Sequence, residues 1–209
     1  MRVDETDIPG TWQISPDPLG DTRGRFFEAA KESVLTAVTG LPFTVRQVNN
    51  SVSHRGVLRG LHCNDVPADA SKLVTCVRGS VLDAMVDLRV GSPTFGSHRM
   101  TRLSADEGTA LYMPGGIGHA FLALEEGTCV NYLLSAEYVP GVMVDVDALD
   151  PELGLPWELD GPAVRSAKDA AAPSLAEALA SGRLPRFTPP RTRTGAPGAP
   201  AQKAPAHAR

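Results

Sequence analysis

Two histidines carry most of the chemistry that this sequence offers. His62 ends the run Gly56-Val57-Leu58-Arg59-Gly60-Leu61-His62, and His119 ends Pro114-Gly115-Gly116-Ile117-Gly118-His119. In the second run a proline–glycine turn precedes a strand and sets an imidazole near its start. A neutral imidazole titrates close to neutrality, so His62 suits a general base working near pH 7. On spacing alone the ordinary reading of either histidine is a hydrogen-bonded structural residue. Lys72 and Arg59 add cations fit for an anionic ligand, and a solvated surface explains them as readily. Cys63-Asn64 follow His62, so the second imidazole of an HxH pair is missing. Two histidines fall short of the three or more protein ligands that a divalent ion takes, and no metal is expected.

Strands must position these residues. From about Val45 to Tyr138 the chain is a series of short apolar or alternating runs broken by turn residues. Leu73–Val77 is followed by Arg78-Gly79, and in Val81–Leu88 the residues Leu82, Ala84, Val86 and Leu88 share one face at period two. Ser97–Leu103, Ala110–Met113, Ala120–Leu124 and Thr128–Leu134 continue the pattern. Strands at this spacing, with no long helical pattern between them, predict an antiparallel barrel or sandwich. Short helices are predicted over Ala29–Val38 and over Ser174–Ser181, the latter with Gly182 as its stop. From Leu184 a Pro-, Ala-, Gly- and Arg-rich stretch has almost nothing to bury and reads as a disordered tail, so the expected division is 1–183 and 184–209.

The chain has 209 residues and a net charge of −4, with charges of both signs mixed along it. One cored domain with some length to spare fits that size, and no field favours nucleic acid. No apolar run reaches the roughly 18–20 residues of a membrane span, and the N-terminus lacks the apolar core of a signal peptide. Cys63, Cys76 and Cys129 are odd in number and widely spaced, which fits thiols in a reducing compartment. A soluble cytoplasmic protein is expected.

A wider set of motifs narrows the function. Asp21-Thr22-Arg23-Gly24-Arg25-Phe26-Phe27-Glu28, Gln47-Val48-Asn49 and the His62 run come in that order. Lys72–Gly79, Val86–Gly96, Pro114–Phe121, Tyr132, Tyr138-Val139-Pro140, Asp150–Gly154, Trp157 and Ser166-Ala167-Lys168-Asp169 follow. Across about residues 7–173 the chain resembles the dTDP-4-dehydrorhamnose 3,5-epimerase family. The resemblance implies a jelly-roll barrel of the cupin kind, no cofactor, and a dTDP-4-keto-6-deoxyhexose as substrate. It also implies a homodimer in which the N-terminal segment crosses to the partner.

By the same resemblance, His62 is the base that takes a proton beside the ketone, and Asp169 holds its tautomer. Tyr132 is the acid on the opposite sugar face, and Lys72 stabilises the enolate oxygen. Arg23, Arg59 and Lys168 match diphosphate-binding groups. Phe26, Glu28, Gln47 and Asn49 match nucleotide contacts, Tyr138 matches the ring stacked on thymine, and His119 a substrate-binding histidine. Read as residues alone, Tyr132 is first a packing aromatic of a strand, and Tyr138 serves equally as a strand-end aromatic. Two departures stand out. Cys63-Asn64 replace the family's aromatic and Gln, and Met143 stands where an acidic contact is usual. These leave open whether C3, C5 or both invert. A 3,4-ketoisomerase on the same fold and a non-catalytic sugar-nucleotide binder are the alternatives.

Overall fold

The computed structural model describes residues 1–64 and 70–189. Among them a six-stranded sheet runs in the order β1 (Arg2–Glu5), β2 (Trp12–Ser15), β10 (Ala110–Pro114), β7 (Ser71–Arg78), β12 (Thr128–Leu134) and β5 (Gln47–Ser53). Facing it is a five-stranded sheet in the order β13 (Val144–Asp145), β6 (Leu58–Cys63), β11 (Ile117–Ala123), β8 (Ser80–Asp87) and β9 (His98–Ser104). A separate hairpin pairs β3 (Leu19–Asp21) with β4 (Gly24–Phe26). Every pairing of these strands is antiparallel. This is the cupin-type barrel that the resemblance implies, with short helices at its edges.

Side-chain parity along the strands builds three apolar layers. Val74, Cys76, Val81, Met85, Phe121 and Val130 point between the sheets and fill the barrel. Their alternates Leu82, Ala84, Val86, Ala120 and Leu122 face outward, where Val144, Leu153, Leu175 and Leu184 cover them. Outside the six-stranded sheet, Leu35 and Phe43 pack on Ile14, Leu73 and Tyr112. The period-two face predicted for Leu82–Leu88 is therefore present, but β8 is buried along its whole length. A strand covered on both faces needs no polar alternation. Full burial of each large side chain contributes roughly 1.5–3 kcal/mol.

The helices depart from the predicted bounds for local reasons. Helix α1 spans Glu32–Thr39 instead of Ala29–Val38, because Lys31 is extended (φ −132°, ψ 131°). It ends at Gly40, whose φ of 72° closes a left-handed cap onto the Thr36 carbonyl. Helix α3 covers Leu175–Ala180, with Ser174 outside it in a capping box with Glu177. The four-residue helix α2 (Ala167–Ala170) and the strands before Val45 are not predicted, since elements this short show no usable period. Leu184 is buried, and Pro185 and Phe187 bond the backbone of Val90 at 2.7 and 3.0 Å. Of the segment 184–209 assigned to a tail by composition, 184–187 thus pack on the barrel, and 190–209 lie outside the described residues. Among the described residues no helix is long and apolar enough to cross a membrane.

Candidate active site

Met85, Phe121 and Leu103 belong to the apolar filling of the barrel, and at one end, its mouth, the inward side chains turn polar. A cleft of about 620 Å³ occupies this mouth. His62, Lys72, His119, Tyr132 and Arg59 line it, together with Gln47 and Asn49 of the edge strand β5. Their placement follows from register. His119 pairs with His62 across β11 and β6, Leu134 with Lys72 across β12 and β7, and Tyr132 with Asn49 across β12 and β5.

Gly60 allows the close approach that puts His62 here. Its φ is +107°, and a Cβ at this position would strike the His119 carbonyl and Ala120. The β6–β11 register also shifts between His119 and Phe121. Such a bulge re-aims side chains, and here it turns both Arg59 and His62 into the cleft.

His62 and Asp169 meet across 107 residues of sequence. His62 Nε2 lies 2.8 Å from Asp169 Oδ1, and that carboxylate is buried. An ionised carboxylate accepts, so the ring proton sits on Nε2 and Nδ1 keeps its lone pair. Helix α2 holds Asp169 in place, with Ser166 Oγ accepting from the Asp169 backbone N–H at 3.0 Å.

Lys72 reaches the same mouth, with Nζ 3.4 Å from the His62 carbonyl. Burial pulls its ammonium down from 10.5 to about 8, opposed by the Cys63 sulfur and the Asp83 carboxylate. The Tyr132 phenol is pushed up, by burial first and by the Asp83 charge next, so it stays protonated. Its ring meets that of His119 edge-on at 5.8 Å between centroids. His119 donates from Nε2 to Asp83 Oδ2 at 2.6 Å, and both are buried. Burial keeps this imidazole below its ordinary value despite the carboxylate beside it. His119 is therefore a neutral, fixed group.

The other expected residues divide into three places. Arg59 donates to Ser53 Oγ at 3.1 Å and to the Val52 carbonyl at 3.3 Å, keeping its guanidinium at the cleft wall. Gln47 donates to Asn49 Oδ1 at 2.9 Å and accepts from the Tyr138 backbone N–H at 2.8 Å, so Tyr138 stands half exposed at the rim. Lys168 lies in an adjoining hollow of about 250 Å³, bonded to Asp145 at 2.9 Å. Arg23, Phe26 and Glu28 are not brought to this chain's cleft. Arg23 pairs with Asp21 of its own hairpin, Glu28 pairs with Lys31, and Phe26 is 67% exposed.

Two carboxylates of the site, Asp83 and Asp145, are absent from the predicted set. A charged residue inside the apolar run Val81–Val86 was the legible signal for Asp83. Among the described residues, Asp83 Oδ1 and Asn64 Oδ1 are buried without a hydrogen-bond partner. Among the described residues no three His, Cys, Asp or Glu side chains are grouped so as to hold a metal ion. A base with an open nitrogen, a buried carboxylate behind it, a cation and a protonated phenol thus surround one cleft. Such a set can remove a carbon-bound proton, stabilise the resulting negative charge and return a proton.

Comparison with known proteins points the same way. The family model for dTDP-4-dehydrorhamnose 3,5-epimerase matches residues 5–177. The chain is 47% identical over 189 residues to the dTDP-4-dehydrorhamnose 3,5-epimerase of Mycobacterium tuberculosis, covering 90% of this chain and 94% of that one. A 4-keto-6-deoxy sugar epimerase from the novobiocin gene cluster of Streptomyces spheroides superposes with a TM-score of 0.86 at 43% identity, over 90% and 94% of the two chains. A 3′-monoepimerase of Streptomyces bikiniensis, solved with dTDP-quinovose, gives 0.83 at 41% identity, over 87% and 91%. With a match this long in both sequence and fold, the chain belongs to the dTDP-4-dehydrorhamnose 3,5-epimerase family.

Proposed function

We propose that the chain epimerises a dTDP-4-keto-6-deoxyhexose at C3, C5 or both, with His62 as base and Tyr132 as acid. The observation that carries this reading is the His62–Asp169 pair at 2.8 Å facing Lys72 and Tyr132 in one cleft. The C4 ketone acidifies the hydrogens on C3 and C5, because the carbanion delocalises onto oxygen. Nδ1 of His62 takes such a proton, and Asp169 stabilises the imidazolium. Lys72 meets the developing enolate charge, where low local dielectric strengthens the interaction. Tyr132 returns a proton to the other face, which inverts the centre. No cofactor enters this sequence of steps.

Arg59 and Lys168 serve the diphosphate as charge-assisted donors. Gln47, Asn49 and Tyr138 serve the nucleotide at the rim, and His119 donates no proton of its own while it remains bonded to Asp83. Arg23, Phe26 and Glu28 act in the cleft of a partner subunit, in a homodimer that exchanges N-terminal segments. The exposure of Phe26 and of Leu19 on the β3–β4 hairpin supports this placement. The reaction is one of soluble sugar-nucleotide metabolism in the cytoplasm.

The 3′-monoepimerase relative supports a second reading, inversion at C3 alone. Proton NMR with dTDP-4-keto-6-deoxyglucose in heavy water decides between them. Loss of both H3 and H5 signals establishes the double epimerase, and loss of one names the mono-epimerase and its centre. Binding without any exchange would leave a sugar-nucleotide binder in place of an enzyme.

A further inference from the structure

Behind His62 stands a second carboxylate. Val144 of β13 is buried in the outer apolar layer, so its neighbour Asp145 turns to the opposite face, paired with His62 across β6. Asp145 Oδ1 lies 3.9 Å from His62 Nε2, the same nitrogen that Asp169 holds at 2.8 Å. The Asp145 oxygen also accepts from Lys168 Nζ at 2.9 Å, and Lys168 is the residue just before Asp169 in α2. Lys168 is 58% exposed, beside Arg183 in the hollow that opens next to the main cleft. Free of its present partner, this ammonium can turn toward an anion without breaking any packed structure.

We propose that Asp145 is a positioning residue that adds to Asp169 in seating the His62 imidazolium, and that Lys168 gates it. In the free protein Lys168 neutralises Asp145. When the diphosphate of the substrate draws Lys168 away, the Asp145 charge is released onto the imidazole, which becomes a stronger base once substrate is in place. The inference rests on the reading of His62 as the base. A negative charge at this separation favours a protonated ring, and a cation on that charge cancels the effect. Other charged or titratable groups also face His62. They are Asp169 from α2, Lys72 from β7, His119 with its Asp83 partner from β11 and β8, and Arg59 three residues earlier on β6.

The test begins with NMR titration of the His62 ring in the full chain without substrate, the resonance being assigned by its loss in His62→Gln. Asp145→Asn should lower the midpoint, and Lys168→Met should raise it. The double variant should titrate like Asp145→Asn, because Lys168 acts through Asp145. Midpoints that do not move, or that move the same way in both single variants, overturn the role of Asp145. Lys168→Met is a surface change and carries the test even if Asp145→Asn fails to fold. Kinetics then test the gate. In Lys168→Met the acid limb should rise for kcat/KM, which reports the free protein, and stay at the wild-type position for kcat. Equal displacement of both limbs overturns the gate. A wild-type protein without proton exchange would sink the epimerase reading, while the ring titration would still decide the charge coupling.

Discussion

The His62 imidazole can act as a base only through Nδ1, because Asp169 occupies Nε2 at 2.8 Å. Replacing His62 with Ala should abolish exchange at every sugar centre, a loss of about 10²–10⁴-fold or more in H3 and H5 wash-out. Tyr132→Phe should separate the two halves of the reaction, keeping wash-out with retention while inversion falls, as read by NMR of the product. At Lys72 the proposed role stands against stability. Its folded-state value of about 8 lies below the ordinary 10.5, so holding it charged opposes folding. That penalty is complete below about pH 8 and is relieved as pH rises toward 10.5, where the unfolded chain also loses its proton. Lys72→Met should therefore raise stability at pH 7 by on the order of 1–3 kcal/mol, an advantage that shrinks above pH 8, and should abolish turnover. Denaturant unfolding at pH 7 and pH 10 checks both arms. Equal stabilisation at the two pH values would show that lost charge is not the cause.

Short elements do the positioning, and they were the least visible in the sequence. Helix α2 has four residues and presents Asp169 through a single cap, the Ser166 hydroxyl on the Asp169 N–H. Ser166→Ala should cost about 1 kcal/mol of stability and lower kcat several-fold with KM little changed, because the carboxylate loses its fixed aim. A drop in stability without any change in kcat would mean that His62 and Asp169 hold each other unaided. The strands from β7 to β12 were legible because each is seven or eight residues long or is bounded by turns such as Arg78-Gly79 and Pro114-Gly115-Gly116. Helix α2 was not legible as a helix, although Ser166-Ala167-Lys168-Asp169 has the spacing of a cap and could have flagged it. The meeting of His62 with Asp169 was expected only through family resemblance, since nothing local links residues 107 apart. Asp145 is illegible in the sequence for a different reason. Its inward aim depends on Val144 being buried by a layer of the fold that a single two-residue strand cannot announce.

At the scale of the whole molecule, the β3–β4 hairpin is the part that one chain alone leaves unexplained. Leu19 is 71% and Phe26 is 67% exposed, and Arg23 is bonded only within its own hairpin among the described residues. Apolar surface of this kind is stabilised when a partner covers it. If the hairpin completes a partner's cleft, Arg23→Ala should lower kcat/KM at least about tenfold, as expected for a lost charge-assisted bond to phosphate, even though Arg23 lies outside the cleft of its own chain. Subunit mixing makes the claim decisive. Arg23→Ala and His62→Ala homodimers each lack a whole site. In a mixed dimer, one cleft combines the intact His62 of one subunit with the intact Arg23 of the other, and the second cleft carries both defects. Random reassortment of equal amounts makes half of the dimers mixed, so activity should return to about a quarter of the wild-type level. The recovery should follow the time course of subunit exchange. If Arg23 instead served the cleft of its own chain, every site in the mixture would keep one defect, and mixing would restore nothing.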